Sequence, residues 1–134
     1  LGISQLKKLN RFQKKRKKIF DYYNCVFKNK DFVAPFKQIE KQINSMHLYP
    51  ILISFDKIKI TRAELIFKLR KKNIFTQVHY IPLHFHPFFQ KKINEVNLNG
   101  SELYYSKCLS IPVFHQMTID DARYIAKNIL KYIN

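Results

Sequence analysis

Glycine is nearly missing from this 134-residue chain, which has two, Gly2 and Gly100. A phosphate-cradling loop needs closely spaced glycines so that backbone N–H groups can close on the anion, so the Gly-rich nucleotide fingerprints are excluded. Cysteine is as scarce, and Cys25 and Cys108 share no motif spacing. That argues against a disulfide-stapled scaffold and reads as two reduced thiols in a cytoplasmic protein. Only nine residues are acidic, and no Ser/His/Asp or Cys/His arrangement for nucleophilic catalysis can be named. No apolar run approaches the roughly 18–20 residues of a membrane-spanning helix, so no membrane partner is expected. Residues 1–20 carry charge after charge without an apolar core segment, so no signal peptide is expected. The chain starts at Leu1 and enters a helix-like pattern at once, as a piece cut from something longer would.

Lysine is what the chain has in excess, for a net charge of +16, with one dense run at Lys14-Lys15-Arg16-Lys17-Lys18. Such a charge is the electrostatic footprint of a nucleic-acid or anionic partner. The remaining lysines are spread along the chain, so we read them as a solvated surface. A basic nucleic-acid or anion-binding module is the alternative, and steep salt dependence would distinguish it. Some of this charge could also attract a diphosphate.

The apolar content, 46%, is that of one folded domain rather than a disordered segment. Residues 3–28 read as one long helix, with Leu6, Leu9, Phe12, Ile19, Tyr22, Tyr23, Val26 and Phe27 at three- and four-residue steps. Residues 32–35 read as an extended connector ending at Pro35. Residues 47–55 form a β-rich run in which Pro50 should lie at an edge or at the strand start. Thr61-Arg-Ala-Glu64 is a capping box opening a second helix, and Asn73 stands where a helix commonly ends in a left-handed residue. Residues 75–80 read as a strand, 81–89 as an aromatic loop, 101–107 as a short helix and 109–112 as extended. Thr118-Ile-Asp-Asp121 caps a last helix with Ala122, Ile125, Ile129, Leu130 and Ile133 on its apolar face. The expected fold is α+β, a small antiparallel sheet covered by helices.

Four of five histidines fall in two aromatic segments, at His47 and at His79, His84 and His86. Clustered imidazoles invite a metal reading, but no carboxylate lies in the second segment and zinc-site spacings are missing, so no metal is expected. The histidines of this segment read instead as polar ligand contacts at a strand end, with core packing as the alternative for His79. For His47 a structural and a functional role weigh equally, and His115 reads as an exposed turn residue.

These motifs, in this order, resemble the DegT/StrS family of pyridoxal-phosphate (PLP) dependent nucleotide-sugar aminotransferases. The resemblance runs through Gly2-Ile-Ser-Gln5-Leu6, Lys15-Arg16, Tyr22-Tyr23 and His47-Leu48-Tyr49. It continues from Ile74 to His84 (Ile-x-Thr-x-x-His-Tyr-x-Pro-x-His) and ends on Leu109-Ser-Ile-Pro112. Asn73 departs from the family's usual glycine. The details at Tyr49-Pro50-Ile51 and His79-Tyr80-Ile81-Pro82 are similar to UDP-sugar 4-aminotransferases of bacterial surface-glycan pathways such as pseudaminic acid synthesis. The resemblance implies the C-terminal small domain of a fold-type I enzyme, residues 1–134, with residues 1–28 as a connecting helix. It implies a homodimeric parent that uses PLP to pass an amino group from an amino acid, usually glutamate, to a UDP- or dTDP-linked keto-sugar. It places the Schiff-base lysine in a preceding large domain, so that no catalytic residue is expected in this chain. His79, Tyr80 and His84 would line the substrate side. A connecting helix without that domain would leave Leu6, Leu9, Phe12 and Ile19 uncovered, and the chain would self-associate.

Overall fold

The computed structural model describes residues 1–35, 44–91 and 97–133. The expected long helix is two helices, α1 (Gly2–Leu6) and α2 (Leu9–Phe27), parted at Lys7 and Lys8. The break follows from contact: α1 buries no residue, whereas α2 buries Ile19, Phe20, Tyr23 and Phe27. Helical periodicity alone does not hold a helix straight without a surface to lie on. The uncovered stripe is accordingly shorter than expected. Leu6 is 68% exposed and Leu9 40%, but Ile19 is buried at 2%, and Phe12 stacks on His115 with ring centroids 3.9 Å apart. His115 is therefore half-covered rather than an open turn residue.

The sheet is antiparallel, with strand order β1 (Val33–Ala34), β2 (Tyr49–Ile53), β3 (Cys108–Ile111). In β2, Tyr49 faces Ile111, Pro50 faces Ser110 and Ile51 faces Leu109. The backbone N and O of Ser110 are bonded to Gln77 on the other side, at 2.8 and 3.0 Å. Pro50 is thus opposite a residue whose hydrogen bonds point away from it, so a proline in the central strand removes no bond to β3. The expected strand at residues 75–80 reduces to that single Gln77–Ser110 bridge, an extended segment along the outer side of β3. Its neighbours Phe75 and Tyr80 are 64% and 92% exposed, so no alternating buried face fixes a longer ladder.

The capping boxes form as read. Thr61 and Glu64 close α3 (Arg62–Arg70), and Thr118 and Asp121 exchange bonds of 2.8 and 3.1 Å at the start of α6 (Ile119–Ile133). Asn73 is left-handed at φ 57°, and the turn lets the Ile74 N–H reach the Leu69 carbonyl at 3.0 Å. The 81–89 loop holds a 3-10 turn, Leu83–Phe85, and the short helix α4 (Pro87–Gln90). Helix α5 (Asn99–Lys107) begins two residues earlier than read and runs directly into β3. The core joins α2, α3 and α6 to the sheet through Tyr23, Phe27, Tyr49, Ile51, Leu65, Leu109 and Ile129, each fully buried. Burying a large apolar side chain is worth about 1.5–3 kcal/mol, so these seven anchor the domain. Among the described residues no helix is long and apolar enough to cross a membrane.

Candidate functional site

The segment that follows α3 meets α5 at the outer side of β3, and this junction gathers His79, Tyr80 and His84. His79 Nε2 is 2.7 Å from Ser110 Oγ, and its Nδ1 is 3.3 Å from the Tyr104 hydroxyl. Both ring nitrogens are thus engaged by the protein. His84 Nε2 is 3.0 Å from a carboxylate oxygen of Glu102, with only 9% of the His84 side chain exposed. The imidazole also lies against Phe85, centroids 4.4 Å apart. Tyr80 points outward, and Leu48, Gln77, Val78, His79 and Tyr80 line a recess of about 300 Å³.

Burial, reinforced by a hydrogen bond with the Cys108 side chain, pushes the Tyr104 hydroxyl well above its ordinary range. Burial likewise pushes the Cys108 thiol up, against hydrogen bonds from Tyr104 and the His79 backbone. Both groups stay protonated at neutral pH, so the network around His79 is built from neutral donors and acceptors. Arg62 ties it to α3: its Nη1 donates to the Tyr105 carbonyl and, at 3.4 Å, to that of Cys108, while the guanidinium lies 4.6 Å from the Tyr105 ring centroid.

Tyr104, Glu102, Ser110 and Arg62 were not singled out in the sequence. Tyr104 and Glu102 belong to a segment read only as short helix, Ser110 was quoted only within the Leu109–Pro112 motif, and the partners of His79 lie 25 and 31 residues away from it. No local spacing announces such contacts. His47 stands apart: it is exposed and bonded to Ser45 Oγ at 2.7 Å, while Arg16 Nε donates to the Ser45 carbonyl at 3.0 Å. His86 is the exposed N-terminal flank of α4. Among the described residues no group of three or more His, Cys, Asp or Glu side chains is placed to hold a metal ion. Thr76 Oγ1 is buried and has no hydrogen-bond partner among the described residues.

A Schiff-base cofactor such as PLP needs a lysine withdrawn from water. Among the described residues every lysine is exposed except Lys107, which is half-buried at the end of α5. With no Gly-rich cradle beside it, that lysine does not fit the cofactor, and the described residues supply no site for PLP.

A three-stranded antiparallel sheet under helices is the α+β class found in the C-terminal domains of sugar aminotransferases. The chain belongs to the DegT/DnrJ/EryC1/StrS aminotransferase family, which it matches over residues 1–130. It is 37% identical over 138 residues to an uncharacterized protein of Methanocaldococcus jannaschii, covering 100% of this chain and 35% of that protein. It is 32% identical over 133 residues to a UDP-4-amino-4,6-dideoxy-N-acetyl-beta-L-altrosamine transaminase of Campylobacter jejuni, covering 99% and 35%. Among solved structures it is similar to Helicobacter pylori PseC, an aminotransferase involved in the biosynthesis of pseudoaminic acid. There the TM-score is 0.88 at 30% identity, covering 98% of this chain and 35% of that one. The chain thus spans about a third of the length of the relatives it matches.

Proposed function

We propose that this chain is the C-terminal small domain, residues 1–134, of an aminotransferase that converts a keto-deoxysugar nucleotide to its amino sugar in surface-glycan biosynthesis. The substrate is a UDP- or dTDP-linked keto-sugar, the donor an amino acid such as glutamate, and the parent a cytoplasmic homodimer. PLP is the cofactor of that parent, where it supplies the electron sink for moving the amino group. The lysine that holds it belongs to the parent's large domain, and the 134-residue chain alone does not transaminate. What this chain contributes is the substrate side: Tyr80 and His84 offer hydrogen bonds to the nucleotide sugar, and His79 lies at the same edge.

One observation carries the reading. Tyr80 is 92% exposed between two histidines that the protein holds in place, in a chain 32% identical to a UDP-sugar transaminase. A tyrosine with no hydrogen-bond partner among the described residues, set between anchored polar side chains beside a recess, is what a ligand-facing edge looks like. The experiment is a titration of the isotopically labelled chain with UDP at about 150 mM salt, where exposed charges are strongly screened. Resonances of Tyr80 and His84 should move. Shifts confined to the lysines of α2 would point to nonspecific anion binding and sink the reading.

A further inference from the structure

We propose that helix α5 is the positioning element of this edge: Tyr104 with Ser110 fixes the imidazole of His79, Glu102 fixes that of His84, and Tyr80 is left as the side chain presented to a ligand. The ligand's identity rests on the nucleotide-sugar reading, whereas the fixation itself does not.

The bond directions follow from what each group can donate. An ionised carboxylate only accepts, so the 3.0 Å contact from Glu102 puts a proton on His84 Nε2. In the neutral ring this leaves His84 Nδ1 as an acceptor. Around His79 the chain of bonds is longer. The His79 backbone N–H donates to the Cys108 sulfur. The Tyr104 hydroxyl also hydrogen-bonds the Cys108 sulfur. The Tyr104 hydroxyl lies 3.3 Å from His79 Nδ1, and Ser110 Oγ lies 2.7 Å from its Nε2. In the neutral ring one nitrogen donates and the other accepts, so two arrangements meet both contacts: the Tyr104 hydroxyl donating to Nδ1 with Nε2–H donating to Ser110, or the Ser110 hydroxyl donating to Nε2 with Nδ1–H donating to Tyr104. Either one holds the ring.

The same serine fixes the backbone. Ser110 exchanges both main-chain bonds with Gln77 and holds the His79 ring with its side chain. Residues 77 to 79 are therefore pinned twice to one residue of β3, and Tyr80 leaves the sheet at a set angle. With both ring nitrogens engaged, His79 acts through Tyr80 and is a positioning residue.

The test reads the ring nitrogens of the full 134-residue chain, ¹⁵N-labelled, at a pH where histidines are neutral. A ring N–H cross-peak is expected for His79, on whichever nitrogen carries the proton, and an Nε2–H cross-peak for His84, since hydrogen-bonded ring protons exchange slowly enough to be seen, and none for exposed His86. S110A and Y104F should each shift or abolish the His79 cross-peak, and E102A should abolish that of His84 alone. The Tyr80 backbone amide should shift in S110A and Y104F and stay put in H86A. Y104F deletes one hydroxyl from a ring that is 40% exposed, so it reports even if S110A fails to fold. A His79 ring signal that is absent from the wild-type chain, or that survives Y104F unshifted with Tyr80 unmoved, overturns the inference. A wild-type chain with both ring signals but no Tyr80 response to UDP would sink the nucleotide-sugar reading and leave the fixation standing.

Discussion

The hydroxyl of Tyr49 donates to the side-chain oxygen of Asn24 across 2.6 Å, joining β2 to α2 inside the core. The Tyr49 ring is fully buried, edge-on to Phe20 with centroids 4.7 Å apart and tilted against Tyr23 at 4.9 Å. Tyr49→Phe keeps the ring and strands the Asn24 oxygen, and should cost about 1–3 kcal/mol. Tyr49→Ala also opens a cavity and should cost about 3–5 kcal/mol. Urea unfolding of the two variants checks both the order and the gap.

Asn73 sits at φ 57°, in the left-handed region. Asn73→Gly should change stability by no more than a few tenths of a kcal/mol, because asparagine and glycine both tolerate this region. Asn73→Val should cost about 1–2 kcal/mol through its β-branched side chain. Equal melting temperatures for the glycine and valine variants would refute the left-handed assignment.

The caps make stability depend on acid. Hydrogen bonds from the Thr61 backbone and then its side chain hold the Glu64 carboxyl below its ordinary value, and Thr118 does the same for Asp121. A carboxylate lowered on folding contributes fully above its unfolded pKa, and that contribution is lost as the pH falls through the folded one. The chain should therefore melt above a Glu64→Gln, Asp121→Asn double variant at neutral pH. The two melting curves should converge as the pH is taken below the ordinary carboxylate range.

Added PLP should find no specific home on this chain. Borohydride fixation followed by peptide mapping should give weak labelling scattered over exposed lysines, whose amines are solvated. A single lysine labelled stoichiometrically, with turnover of a keto-sugar nucleotide, would overturn the proposal that the chain alone is inactive.

The N-terminal stripe is expected to drive self-association. Ile3 is 75% exposed and Leu6 68%, and α1 has no buried residue. Sedimentation at rising concentration should show dimers or larger species, and an Ile3→Asp, Leu6→Asp variant should stay monomeric with an unchanged melting temperature. A wild-type chain that is monomeric at high concentration would count against it.

The parts of this fold legible in the sequence are those decided locally. Thr61 and Thr118 declare their helices because a cap needs only residues three apart, and Asn73 marks its turn for a similar reason. Position 50 was legible as an exception to ladder bonding, though the strand it occupies is central. The break at Lys7–Lys8 was not legible, because Leu6 and Leu9 keep helical spacing whether or not anything lies beneath them. The strand at residues 75–80 was over-read from β-branched and aromatic composition, since only its pairing with Ser110 decides how far a ladder runs. His79, Tyr80 and His84 stood out by composition, while Tyr104 and Glu102, and the bond of Ser110 to His79, were missed because long-range side-chain pairing leaves no spacing to read.

The two cysteines, exposed at position 25 and buried at position 108, give the chain its own clock. A thiol reagent should modify Cys25 at the rate of a free cysteine of ordinary reactivity. Cys108 can react only when β3 parts from α5, so its slower labelling measures how often that junction opens. Because Cys108 adjoins Tyr104, the same trace would register any ligand that tightens the histidine edge, with no reporter group added.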